Sequence, residues 1–258
     1  NEETNILPFI KEINLYLSEF LFELIFVLDP CTDNSEKIIC NLAETSPYIK
    51  LISMSRRFGQ PMAILAGLEF CTGDCAIIMD VDLQNPPSCL PKMIQLWEEG
   101  YQVVLPKLKK RGDNLFRTVF AKVAYKLIDV FSEIKMPRDV SDFRLLDREV
   151  IDQINLMEER HGFLRGMVAY AGFKVTYMPF NRPPRLSGET KYNRFFGSFK
   201  IGGNGVFAYS SLGLFTIFNL GIILALIAIF SSLIYLLAKL LQYPFPWGFP
   251  TIVILILL

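Results

Sequence analysis

Two carboxylates carry the first chemical signal. In the run Ile77-Ile78-Met79-Asp80-Val81-Asp82-Leu83-Gln84-Asn85-Pro86-Pro87, Asp80 and Asp82 stand at i and i+2, after an apolar stretch and before a Pro-Pro turn. Side chains alternate along a strand, so this spacing predicts both on one face. Two hard oxygen donors at the carboxyl end of a buried strand can hold Mg²⁺ or Mn²⁺, and that ion can hold a diphosphate. The bland alternative is a pair of aspartates that caps the turn before Pro86. A third carboxylate, Asp29, ends the apolar run Leu24-Ile25-Phe26-Val27-Leu28 and converges on the same edge.

Composition narrows the partners. Lys and Arg number 26, as do Asp and Glu, so bulk attraction to nucleic acid is not supported. The five cysteines (Cys31, Cys40, Cys71, Cys75, Cys89) form no CxxC pair, and the single histidine, His161, is remote from them. A zinc site is not expected, the thiols read as reduced and facing a cytoplasm, and His161 reads as structural. Hydrophobic residues make up 52% of the 258, and no charged residue or histidine lies between Lys200 and Lys239. A nucleotide-type metal site joined to such a segment suggests chemistry on a lipid.

The elements that must position these groups follow from periodicity. Thr4 or Asn5 is expected to cap a helix whose apolar residues run from Ile6 to Phe20. Strands are expected at 24–28, 50–54, up to Asp80, at 103–105 and at 174–178. Helices are expected after Asp33 or Ser35, over 61–70, 88–99, 113–134, 147–157 and 161–170. Alternating strands and helices indicate a parallel-type sheet with helices on both faces, which binds ligands at the strands' carboxyl ends. An interfacial amphipathic segment is expected over 193–209, carrying Phe195, Phe196 and Phe199 beside Arg194 and Lys200. The stretch 210–238 is long enough to span a bilayer, and 249–258 starts a second apolar segment. Lys191, Arg194 and Lys200 flank the first span, so residues 1–192 are expected to be cytoplasmic. The chain opens without Met and stops within an apolar run; both ends read as truncations.

An ordered series of motifs now resembles a known family. Asp29 to Ser35, Arg56-Arg57-Phe58-Gly59-Gln60, Leu65-Ala66-Gly67-Leu68, Thr72-Gly73-Asp74 and Asp80 to Pro87 come first. Ser141-Asp142-Phe143-Arg144-Leu145-Leu146-Asp147-Arg148, Arg165-Gly166-Met167 and Arg182 to Tyr192 follow. The series resembles family 2 glycosyltransferases of the polyprenyl-phosphate type, similar to dolichol-phosphate mannose synthases and bactoprenol glucosyltransferases. The resemblance implies an α/β GT-A, Rossmann-like nucleotide-diphospho-sugar transferase domain followed by C-terminal transmembrane helices. It also implies a first strand ahead of Asn1, which this chain lacks. Where the family often has paired aspartates, Leu28 precedes Asp29.

The implied reaction is metal-dependent, inverting transfer of a hexose to a polyprenyl phosphate by an integral membrane enzyme of the bacterial inner membrane. Glucose from UDP-glucose is the leading expectation and mannose from GDP-mannose the alternative. A catalytically degenerate, membrane-anchored nucleotide-sugar scaffold is the reading from another class. A homo-oligomer is admitted. Asp82, with Asp80 nearby, would hold Mg²⁺ or Mn²⁺ at the leaving diphosphate. Asp29 would accept a hydrogen bond from the base, or merely form its turn, with Glu2 close by. Gln84 would contact diphosphate or sugar, or stand solvated. Asp142 would orient the acceptor, serve as base, or cap a helix. Arg138 and Arg144 would clamp the lipid phosphate or pair with nearby aspartates. Arg182, Arg185 and Lys191 would form a phosphate-binding flap or a headgroup anchor.

Overall fold

A computed structural model describes residues 1–108, 140, 142–157, 163–181, 183, 212–244 and 248. The chain divides into two compact units, Asn1–Tyr209 and Ser210–Leu258. In the first unit the order is α1 (Glu3–Tyr16), β1 (Leu24–Leu28), α2 (Ser35–Thr45), β2 (Ile49–Ser53), α3 (Gln60–Phe70) and β3 (Cys75–Ile78). A 3₁₀ turn (Pro87–Cys89) leads into α4 (Leu90–Glu98). Then come β4 (Val103–Leu108), β5 (Arg144–Asp147), α5 (Arg148–Leu156), α6 (Leu164–Ala171) and β6 (Val175–Phe180).

The strands form two hydrogen-bonded groups, β1-β2 and β3-β5-β4-β6. β1 pairs with β2, and β4 with β6, in parallel. β5 runs antiparallel to both of its neighbours, β3 and β4. The expected parallel-type sheet is therefore mixed. β5 lies beside the strand that precedes it, reached from the end where β4 leaves, as the antiparallel Lys107–Val140 bridge shows. Such a return needs no crossover helix, and a reading built on strand–helix alternation cannot see it.

Alternation along the central strands sets the layers. Val104 and Leu145 point into one core with Ile6, Phe9 and Ile13 of α1, Ile39 of α2 and Met93 of α4. Val103, Leu105 and Leu146 point into the other with Leu68 of α3, Ile151 of α5 and Met167 of α6. Helices cover both faces, as expected of an α/β domain.

The start of α1 corrects the expected cap. Thr4 and Asn5 lie inside the helix and Asn5 is buried. The cap comes instead from another segment, because the Glu3 N–H donates to Asp33 Oδ2 at 3.2 Å and the Glu2 N–H to Ser35 Oγ at 3.1 Å. Asp33 Oδ1 also accepts the Ser35 N–H at 3.2 Å, so one carboxylate serves the N-termini of α1 and α2. Burial alone would push the Asp33 carboxyl up. Hydrogen bonds from the Ser35 side chain and from the Glu3 and Ser35 N–H groups outweigh it and bring the carboxyl down to about 2. A depressed carboxyl stabilises the fold fully above its unfolded value of 3.8 and loses that contribution as pH falls toward about 2. Asp33→Ala should lower Tm by roughly 2–4 °C at pH 6. The gap to wild type should narrow by about half by pH 3 and close only below about pH 2; thermal melts showing a pH-independent gap would contradict this.

In the second unit, α7 (Leu212–Leu240) is apolar on every side. Its stretch Gly213–Leu240 is long and apolar enough to cross a membrane. At 1.5 Å per residue its 28 residues span about 42 Å, against a hydrocarbon core of about 30 Å. The amide of Asn219 donates to the Phe215 carbonyl at 2.7 Å, so this polar group is satisfied within the helix. The helical pattern at 113–134, the segment 193–209, the stretch 249–258 and His161 lie outside the described residues.

Candidate active site

The strand that was to carry both aspartates stops at Ile78, so neither Asp80 nor Asp82 lies on β3. Their placement is set by a tight corner. Asp82 Oδ1 accepts the Gln84 N–H at 3.1 Å, closing an Asx turn over Leu83. Leu83 takes φ +57°, a left-handed conformation that costs a non-glycine residue about 1–2 kcal/mol. Burial explains why it does so. Leu83 is 9% exposed and packs into the α1-side core, which forces the chain to reverse between two polar neighbours.

Asp80 is held by two amides. Gln60 Nε2 donates to its Oδ1 at 2.7 Å, and Nδ2 of the buried Asn85 to its Oδ2 at 3.5 Å. Gln60 is itself placed by Asp29, the residue just past β1. Asp29 Oδ1 accepts the Phe58 N–H at 3.1 Å and its Oδ2 the Gly59 N–H at 2.9 Å. Gly59 has φ +87° and ψ 165°, a region open to glycine almost alone, and Gln60 follows as the first residue of α3. The ends of β1 and β3 are thereby tied through one loop. Glu2 lies beside the turn that follows Asp29, with its Oε2 accepting from Asn5 Nδ2 at 2.5 Å.

The antiparallel register brings a second group to this end of the sheet. Ile78 pairs with Arg144. Asp80 lies two residues beyond the first and Asp142 two before the second. Between the pairs Val104–Leu145 and Lys107–Val140, β4 advances three residues while the facing segment advances five. The register of the ladder is therefore not kept between these two pairs. Phe143 anchors the segment in the core, edge-on to Phe180 with ring centroids 5.8 Å apart.

Asp142 Oδ1 receives two guanidinium groups, Arg144 Nη2 at 3.3 Å and Arg165 Nε at 3.0 Å. Arg144 Nε also donates to the Asp142 carbonyl at 3.2 Å. Arg144 is 1% exposed, and burial pushes it down to about 10, Asp142 opposing this and Arg165 adding to it. It still carries its charge at neutral pH. The cap that Asp142 was offered as an alternative belongs to Asp147, which accepts the Glu149 N–H at 2.9 Å and the Trp97 indole N–H at 2.6 Å.

The structure thus collects Asp80, Asp82 and Gln84 on one corner, ties Asp29 to Asp80 through Gln60, and joins Asp142 to Arg144. Arg138, Arg182, Arg185 and Lys191 lie outside the described residues. Sequence reasoning assigned no site role to Gln60, Asn85 or Arg165. All three sat within the quoted motifs, but residue type alone does not tell which carboxylate a polar side chain will reach.

Among the described residues, no cluster of three His, Cys, Asp or Glu side chains could hold a metal ion. The donor set at the corner is two carboxylates, all hard oxygen. Mg²⁺ and Mn²⁺ are commonly bound by one or two carboxylates, with substrate phosphates and water completing the shell. The residues present fit such an ion.

A model of glycosyl transferase family 2 matches residues 1–154. The chain belongs to this family. It is 40% identical over 172 residues to an uncharacterised glycosyltransferase of Bacillus subtilis (strain 168), covering 66% of this chain and 53% of that protein. It is 37% identical over 196 residues to the prophage bactoprenol glucosyl transferase homolog of Escherichia coli (strain K12), covering 75% and 64%. The chain therefore spans between half and two thirds of the length of these relatives. The fold is the GT-A nucleotide-sugar transferase fold. The glucosyl-3-phosphoglycerate synthase of Mycobacterium tuberculosis, solved with phosphoglyceric acid, superimposes with a TM-score of 0.56 at 20% identity, covering 80% of this chain and 74% of that one.

Proposed function

We propose that the protein is a membrane-anchored glycosyltransferase that moves glucose from UDP-glucose to a polyprenyl phosphate, with inversion. The observation that carries this reading is the arrangement at one end of the sheet. A corner of two carboxylates suits a diphosphate donor with its metal ion, and an arginine-rich cluster suits a phosphate acceptor. The likeness to a bactoprenol glucosyl transferase homolog supports the choice of sugar and lipid. The apolar α7 supports an acceptor whose tail stays in a bilayer.

In this reading a lipid phosphate oxygen attacks the anomeric carbon. The bond from that carbon to the diphosphate breaks, and UDP leaves with the electron pair. The nucleophile is anionic at neutral pH, so the protein's work is positioning and charge stabilisation rather than proton removal. Asp80 and Asp82 would hold Mg²⁺ or Mn²⁺, which when bound neutralises charge on the departing diphosphate. Gln60 and Asn85 keep Asp80 in place, and the Asx turn keeps Asp82 in place. Asp29 and Glu2 border the side where the nucleoside would lie, Asp29 through the 58–60 loop. Gln84 stands next to Asp82, toward diphosphate or sugar. Asp142 orients the acceptor side by fixing its two arginines.

The test is transfer by the full-length chain in nanodiscs, with undecaprenyl phosphate and radiolabelled UDP-glucose or GDP-mannose. Organic-extractable label from UDP-glucose is expected. Label from GDP-mannose alone would replace the donor, and no label from either would make the chain a binding scaffold. For the anchored catalytic unit we expect a cytoplasmic side. Cys40 is an exposed thiol on α2. In a variant keeping only that cysteine, an impermeant maleimide should label it after permeabilisation but not in sealed cells. Labelling of sealed cells would reverse the orientation.

A further inference from the structure

We propose that Arg165 holds the phosphate of the acceptor, with Asp142 as its positioning residue. The proposal rests on the transfer reaction above and adds a residue to it. The arithmetic of charge comes first. Two guanidinium groups share one carboxylate oxygen, so among the described residues the cluster carries a net positive charge. Only one of the two cations can offer that charge to a ligand. Arg144 is sealed in the core and spends its donors on the Asp142 carboxylate and carbonyl. The Arg165 side chain is 33% exposed and engages Asp142 through Nε alone. Its two terminal amino groups make no hydrogen bond among the described residues.

This division of labour suits a guanidinium. Nε is fixed on a carboxylate that is itself fixed by a buried arginine and by Phe143 in the core. The two terminal nitrogens then form a planar fork that matches two oxygens of a phosphate. The place also fits. Asp142 and Asp80 leave the β3–β5 ladder at the same end, so Arg165, bound to Asp142, stands at the same end of the sheet as the donor corner. A surface arginine with a purely structural ion pair is the competing account. That account predicts a loss of stability without selectivity between substrates.

The experiment compares wild type, Arg165→Gln and Arg165→Lys as full-length chains in nanodiscs. It reads KM for undecaprenyl phosphate, KM for UDP-glucose, UDP affinity by calorimetry, and Tm. Losing a charged two-point contact should lower kcat/KM for the lipid phosphate roughly 10- to 100-fold in Arg165→Gln. KM for UDP-glucose and UDP affinity should stay within about twofold. Arg165→Lys should fold like wild type yet recover only a minor part of the lipid term, because an ammonium cannot serve carboxylate and phosphate together. An unchanged lipid term in Arg165→Gln overturns the assignment, as does full recovery by lysine or an equal loss for both substrates. If Arg165→Gln does not fold, the lysine variant decides alone. Failure of the wild-type chain to glucosylate undecaprenyl phosphate would overturn the function itself, and this assignment with it.

Discussion

Asp82→Asn should lower glycosyl transfer by about two to three orders of magnitude while the protein folds and stays in the membrane. The substitution is nearly isosteric. Its side-chain oxygen can still accept the Gln84 N–H that closes the corner over Leu83, so the turn keeps its hydrogen bond. What disappears is one negative charge at the place where a divalent cation must be shared between protein and diphosphate. With two carboxylates at this corner, losing one halves the anionic protein ligands. Chelation of the wild-type enzyme by excess EDTA should have a comparable effect, with Mg²⁺ or Mn²⁺ restoring turnover. Initial rates of lipid glucosylation, set beside thermal melts, decide it. Undiminished turnover in EDTA, or by the Asn variant, would remove the metal from the mechanism.

The second large effect concerns stability. Asp142→Ala should destabilise the first unit by about 3 kcal/mol, the low end for breaking a buried pair, because Asp142 itself is 30% exposed. The cost does not come from losing an attraction alone. Arg144 would remain in the core with its carboxylate gone, beside the like charge of Arg165. The double variant Asp142→Ala/Arg144→Met should therefore be more stable than the single one, since an apolar side chain of similar length needs no counter-charge. Chemical denaturation of the three proteins measures this. A double variant less stable than Asp142→Ala would mean that Arg144 contributes through packing rather than through its charge.

Much of the architecture is legible in the sequence where one local rule governs. Leu24–Leu28 is a strand because it is a short apolar run between turn signals, and α7 is a helix because nearly thirty uncharged residues allow little else. Asp147 was placed at the start of a helix and caps α5. Legibility fails where distant segments meet. The helix start assigned to Thr4 or Asn5 depends on Asp33, thirty residues away, whose carboxylate no local pattern could assign to α1. The direction of β5 depends on the sheet order.

The candidate site divides in the same way. Asp80, Asp82 and Gln84 stand out by type and spacing, but their geometry comes from Leu83 rather than from a strand. Gln60 reaches Asp80 only because Asp29 has gathered the loop before it. Arg165 joins Asp142 from a helix 23 positions later. No spacing rule connects those positions; the packing of α6 against the sheet does.

The left-handed backbone at Leu83 inverts the usual ranking of substitutions at a buried position. At most buried leucines, isoleucine or valine is among the mildest replacements, because volume and polarity are nearly kept. Here a branch at Cβ meets a backbone that β-branched residues avoid, so these two become the worst of the apolar choices. Asparagine and glycine, ordinarily damaging in a core, exchange lost packing for relief of the backbone. Any chain that carries two carboxylates around this bend needs one residue able to turn the wrong way and still fill the space beneath. An apolar side chain unbranched at Cβ meets both demands. Tolerance to substitution at this position is thus set by the handedness of the turn as much as by hydrophobicity.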